Sequence, residues 1–227
     1  MKIICGNCHR PYPEKGSPYH CPTCGGIYDY ELFPDFDPAR VATDSRETWK
    51  GQGGLWRYRH ALGLPENAPT ISLGEGDTPL IWSEAFGLRV AFKLEYLNPT
   101  GSFKDRGSAP LISFLCSRGA KSAVEDSSGN AGASFAAYAA RAGLKARVYI
   151  PASVTGPKRK QIEAYGAEIV PIQGPRSKAA EAVRRAADRG DVYASHAFLP
   201  FNLPGYATVA YELVDQLGQA PGTVICP

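Results

Sequence analysis

From Arg89 onward the apolar positions follow two alternating periods. "RVAFKLE" has the β-branched and aromatic content of a strand, and "KDRGSAPLISFLCSRG" carries apolar residues at helical spacing, although Pro110 inside it argues against an unbroken helix. "KSAVEDS" reads as a strand, "NAGASFAAYAARAG" as an Ala-rich helix closed by Gly143, and "KARVYIP" as a strand ending at Pro151. Then "PKRKQIEAYG", "AEIVPIQ", "SKAAEAVRRAADRG", "DVYAS", "ATVAYELVDQLG" and "TVICP" continue helix and strand in turn. Strands separated by helices need crossover connections, so the pattern predicts an α/β fold with a parallel sheet covered on both faces.

Ahead of this region the periodicity fades. Residues 29–79 are rich in Pro, Gly and aromatics and read as a connecting arm, with one short helix around "GGLWRYRHALG". Glu75, between two glycines in "SLGEGDTPL", reads as a solvated or capping turn carboxylate.

Composition narrows the classes. A chain of 227 residues that is 44% hydrophobic can bury a substantial core. Its 25 basic and 22 acidic side chains are mixed along the chain, which argues against a nucleic-acid partner. No apolar run is long enough for a signal peptide or a membrane helix, so the chain reads as cytoplasmic.

Cys5, Cys8, Cys21 and Cys24 form two Cys-x-x-Cys steps, "CGNC" and "CPTC", separated by residues 9–20. Two tight turns of this kind present four thiolates to one tetrahedral ion, and a full set of four leaves no open position for water. The expected ion is a structural Zn²⁺; a pair of disulfides is the alternative, disfavoured in a reducing compartment. His9 and His20 stand beside the quartet as substitute ligands, and Cys116 and Cys226 lie in apolar runs and read as core. The chain divides into a zinc-ribbon-like segment (1–28), the arm (29–79) and the α/β region (80–227).

In open α/β sheets ligands gather beyond the carboxyl ends of the strands. Two loops have that address: "NPTGSFKDRG", which puts Lys104 at a helix start, and "SSGNAG" after "AVED". In the second, Gly129 permits close backbone approach, and Ser127, Ser128 and Asn130 set short polar groups beside amides not yet used by the helix, as an anion site or an ordinary N-cap would.

The strings "GDTPL", "KLEYLNPTGSFKDRG", "SSGNAGASFAAYAARAG" and "GYATVAYELVDQLG" together resemble threonine synthase and its relatives in the tryptophan-synthase-β-like, fold-type II family of pyridoxal-phosphate enzymes. The four-cysteine ribbon resembles an extension found in some threonine synthase homologues. The resemblance implies that Lys104 forms a Schiff base with the cofactor aldehyde and, once freed, moves protons on the substrate. Arg106 either helps to lower the Lys104 pKa or pairs with Asp105. Asn130 matches the asparagine that hydrogen-bonds the cofactor's phenolic oxygen, and Ser127, Ser128 and Gly129 match the loop that receives the carboxylate of an amino-acid substrate.

The implied reaction converts O-phosphohomoserine and water to threonine and phosphate. The family's phosphate-holding segment has an Asn-Pro and a basic residue ahead of Glu-Gly-x-Lys-Thr, whereas here it reads "AFLPFNLPGYAT", with Leu199, Pro200, Asn202, Pro204 and Ala207. The expected charges are missing, and Lys158, Arg159 and Lys160 read as a solvent-facing helix start. β-Elimination or β-replacement on a serine- or threonine-like amino acid therefore stays open. From another class, so does a catalytically inactive zinc-ribbon α/β interaction module. The chain stops at "TVICP", where the family continues into the glycine-rich loop for the cofactor phosphate, so a C-terminal part is expected to be missing. A homodimer is one admissible assembly.

Overall fold

The computed structural model describes residues 2–32 and 53–226. Strands β1 (Ile3–Cys5) and β2 (Tyr28–Tyr30) pair antiparallel and frame the four cysteines. Much of the arm, residues 33–52, lies outside the described residues; beyond it the expected short helix is a 3₁₀ segment, Gly54–Ala61. This segment is bound to the α/β body: Leu55 and Trp56 are fully buried members of the same apolar cluster as Ile112, Leu115 and Ala136. Removing an aliphatic side chain of this size from water contributes about 2 kcal/mol.

Strands β3 (Leu80–Ala85) and β4 (Leu88–Lys93) form an antiparallel hairpin. Phe86 and Gly87 both have positive φ, 55° and 71°, as a two-residue hairpin turn of the primed type requires. The expectation that "RVAFKLE" joins the parallel sheet is thus corrected: β4 pairs with β3.

The parallel sheet consists of β5 (Ser122–Glu125), β6 (Lys145–Pro151) and β7 (Glu168–Ile172), in that order. Helices α2 (Asn130–Arg141) and α3 (Pro157–Ala164) are its crossovers, α1 (Lys104–Ser117) precedes β5, and α4 (Arg176–Asp188) and α5 (Leu203–Leu217) follow β7. "DVYAS" joins the other edge of β5 by a single parallel bridge, Val124 to Tyr193. "TVIC" forms no strand among the described residues; Cys226 is exposed and so is not the core residue expected, whereas the partly buried Cys116 packs against the main core.

Helix α1 runs unbroken through Pro110. A proline cannot donate to the carbonyl four residues back, which here is Arg106. Gly205 of α5 packs against that carbonyl so closely that a Cβ would come within 1.9 Å of the oxygen. A Cβ at Gly107 would meet the Tyr206 ring at 2.4 Å. The two glycines let α1 and α5 approach, and this brings Tyr206 over the start of α1.

Candidate active site

The turn before α1 is built by its polar residues. The amide of Gly101 donates to the Asn98 carbonyl (2.8 Å), and the buried Asp105 carboxylate accepts from the Thr100 amide (2.7 Å), the Thr100 hydroxyl (2.6 Å) and the Ser134 hydroxyl of α2 (2.6 Å). Ser134 also shares a hydrogen bond with Ser108 (2.7 Å), so the N-terminal turns of α1 and α2 are tied together.

Arg106 pairs with neither Asp105 nor Lys104's surroundings. It is fully buried and held by Glu95 and Glu212, at 2.7–2.8 Å to each. With Asp105 and Arg106 both committed, Lys104 is left on the open side of the turn. Its Nζ lies 4.5 Å from the Phe103 ring centre and 5.2 Å from that of Tyr206. Burial pushes the amine below the ordinary lysine range, while the charge of Glu125 pulls it up.

The second loop leads from β5 into α2. No side chain caps α2, so the ordinary N-cap reading of Ser127, Ser128 and Asn130 does not hold. Ser127 is buried with its hydroxyl on the Gly129 amide (3.3 Å), Ser128 and Gly129 are half-buried, and Asn130 is exposed. Gly132 is needed beneath it, since a Cβ there would lie 1.8 Å from the Ser127 carbonyl oxygen. The loop thus offers free helix-start amides beside the Lys104 turn, as an anion site requires.

Sequence reasoning missed Glu125 and His196 here and read Asn202 only as an uncharged position of the phosphate-holding segment. Glu125 closes β5 with 1% exposure, and His196 Nδ1 lies 2.5 Å from its Oε1. The hydrogen bond to Glu125 raises the His196 pKa against the effect of burial, and burial raises that of Glu125 against His196. Asn202 donates from Nδ2 to the His196 carbonyl (2.8 Å). These residues, with Ser108 and Tyr206, line one cleft. The available signal was a carboxylate ending the apolar strand "SAVE", where burial demands a partner. Glu75 was misread as solvated: it is 1% exposed and accepts from Trp56 Nε1 (2.6 Å), the Tyr138 hydroxyl (2.6 Å) and the Leu73 amide (2.9 Å).

At the other end of the chain, the Sγ atoms of Cys5, Cys8, Cys21 and Cys24 all lie within 4.8 Å of one another, and none is in a disulfide. The Cys5–Cys24 and Cys8–Cys21 separations are 3.4 and 3.7 Å. Tetrahedral zinc with Zn–S bonds of about 2.3 Å needs S···S edges of about 3.8 Å. A backbone hydrogen bond from Cys8 holds the Cys5 thiol below its usual range, with burial opposing it. The donor set and spacing fit Zn²⁺.

Comparison with known proteins agrees with this architecture. Residues 71–227 match the family described as pyridoxal-phosphate dependent enzyme. Threonine synthase of Synechocystis sp. is 41% identical over 186 residues, covering 79% of this chain and 48% of the relative. Threonine synthase of Methanocaldococcus jannaschii is 34% identical over 230 residues, covering 98% of this chain, and so reaches the four-cysteine segment, and 56% of the relative. Maize serine racemase superposes with a TM-score of 0.58 at 27% identity, over 62% of this chain and 45% of that one. The chain spans about half the length of the curated relatives it matches. The residues present fit pyridoxal phosphate: a half-buried amine of depressed pKa stands beside uncapped helix amides.

Proposed function

This chain belongs to the family of pyridoxal-phosphate-dependent enzymes, with the fold-type II architecture, and within it we propose a carbon–oxygen lyase of the threonine synthase type whose Schiff-base lysine is Lys104. The observation that carries this is the position of the Lys104 amine, half-buried at the start of α1 and under the Tyr206 ring. Pyridoxal phosphate, when bound, supplies the electron sink for breaking bonds at the substrate Cα. Lys104 would take and return the Cα proton, and burial, which lowers its pKa, favours the neutral amine that this needs. The loop of Ser127, Ser128 and Gly129 would receive the substrate carboxylate, and Asn130 would hold the phenolic oxygen of the cofactor.

The resemblance to threonine synthases, the name carried by these relatives, supports O-phosphohomoserine and water as substrates, with threonine and phosphate as products. The second reading is elimination or replacement at Cβ of a serine- or threonine-like amino acid. It is favoured by the side chains at the segment that holds phosphate in the family, where Asn202, Pro204 and Ala207 carry no charge. Cys5, Cys8, Cys21 and Cys24 hold a structural Zn²⁺ in the same proposal.

The test is covalent. Borohydride reduction of the protein mixed with pyridoxal phosphate should leave one adduct, mapped by peptide mass to Lys104 and absent from Lys104→Ala. An adduct spread over surface lysines would remove the basis of this reading.

A further inference from the structure

Two buried acceptor atoms, in residues that line the cleft under Tyr206, have no hydrogen-bond partner. Glu125 Oε2 and Asn202 Oδ1 are buried and unbonded, in side chains that are each 1% exposed. The orientation of Asn202 is set, because its Nδ2 donates to the His196 carbonyl and leaves the oxygen as the remaining group. Glu125 Oε1 is occupied by His196. With the carboxylate ionised, Oε2 offers only lone pairs. A buried acceptor left unmade costs about 1–3 kcal/mol, so a pair of them lining one cleft points to a ligand that donates. No lysine or arginine lines this cleft.

We propose that Glu125, His196 and Asn202 form the subsite for the substrate's side chain, and that it takes an unphosphorylated, hydrogen-bond-donating end, a hydroxyl or an amine. This rests on the reading of Lys104 as the cofactor lysine. A phosphate dianion has no proton to give these oxygens and requires cations or several N–H donors. Here it would face the Glu125 carboxylate, with no lysine or arginine among the residues that line the cleft. A hydroxyl or an ammonium group supplies the donor that these acceptors lack. Glu125, His196 and Asn202 are specificity-determining residues in this proposal, and Lys104 keeps the chemistry at Cα.

The experiment uses the protein loaded with pyridoxal phosphate and titrated with L-serine, L-homoserine and their O-phospho forms. Two readouts follow binding: the absorbance of the cofactor, and the imidazole nitrogen shift of His196, assigned with His196→Gln. The hydroxyl amino acids should bind about tenfold or more tightly than their phosphorylated counterparts and shift His196. Glu125→Gln and Asn202→Leu should each weaken the hydroxyl ligands about tenfold, and Asn202→Arg should reverse the preference. If either variant fails to fold, the other and the wild-type selectivity still decide. Phosphorylated forms binding as tightly as the hydroxyl forms, or hydroxyl forms binding without moving His196, would overturn the subsite while the borohydride adduct on Lys104 leaves the proposed function standing. Absence of that adduct would remove the proposed function and the subsite with it.

Discussion

Arg106 and Glu212, 106 residues apart in the chain, meet through two parallel hydrogen bonds of 2.7 and 2.8 Å with both side chains fully buried. Glu95 grips the other side of the guanidinium, and Lys93 reaches Glu212 at 2.7 Å, so two cations and two anions close a neutral cluster under the Lys104 turn. Removing one member leaves a charge buried without its partner, which costs about 3–5 kcal/mol. Glu212→Gln should therefore lower the unfolding free energy at neutral pH by about 3 kcal/mol, read from the shift in urea midpoint.

The same cluster fixes an acid limit. Burial alone would raise the Glu212 pKa, but the hydrogen bonds and charge of Arg106 outweigh it and hold the carboxyl at about 2, below its ordinary 4.5. A carboxyl depressed in the folded state contributes stability above its unfolded pKa and loses it as pH falls. About 3 kcal/mol should disappear between pH 4.5 and 2 in the wild type and be absent from the same interval in Glu212→Gln. Parallel stability–pH curves for the two proteins would show that Glu212 is not depressed.

Glu75 ties the arm to the body. It accepts from Trp56 on the 3₁₀ segment and from Tyr138 on α2, all three side chains being buried. Glu75→Ala would orphan both donors at about 1–3 kcal/mol each. The expected result is a loss of about 3 kcal/mol or more in chemical denaturation, with a smaller loss in Glu75→Gln, which keeps one acceptor. Equal stability of Glu75→Ala and wild type would mean that the arm is held by apolar packing alone.

What the sequence disclosed follows from range. The α2 and β6 segments were legible because Ala-rich helical spacing and an apolar run are local signals, and so were the two Cys-x-x-Cys turns. The loop holding Ser127–Asn130 followed from its place at the carboxyl end of a parallel strand, whereas the Lys104 loop follows the antiparallel hairpin and was legible from its residues rather than from that address. The β3–β4 hairpin was not legible because β3 carries no clean alternation, its interior positions being exposed. The partners of Glu75, Arg106 and Glu125 lie 63, 106 and 71 residues away, and a charged residue carries no local mark of a partner at that distance.

Gly132 reports on the second loop. A methyl group there would press on the Ser127 carbonyl, a backbone atom that cannot swing aside. Gly132→Ala should destabilise the protein by about 1–3 kcal/mol and lower its retention of pyridoxal phosphate on gel filtration. Lost stability with unchanged retention would separate the loop from cofactor binding.

Zinc is expected to hold the ribbon against the body. Tyr12, between the two cysteine pairs, packs edge-on against Tyr28 (4.7 Å) in the ribbon and against Phe201 (5.0 Å) in the body. One zinc per chain should be released by a strong chelator, and Cys21→Ser should bind none. Chelation should raise proteolysis near residues 2–30 while leaving α1 and α2 protected from hydrogen exchange. Protection unchanged along the ribbon after metal loss would show that its side-chain packing suffices.

Lys104 feels two opposed influences, burial lowering its pKa and the charge of Glu125 raising it. Neutralising Glu125 should remove only the second. In Glu125→Gln the amine should titrate lower than in wild type, so at neutral pH more of it is unprotonated. The rate of acylation by a lysine reagent, measured at Lys104 by peptide mass as a function of pH, should then reach its half-maximum at lower pH in the variant. The other lysines, which do not face Glu125, serve as internal controls. A midpoint that moves upward in Glu125→Gln would show that the carboxyl is protonated beside His196 and acts on Lys104 through hydrogen bonding rather than charge.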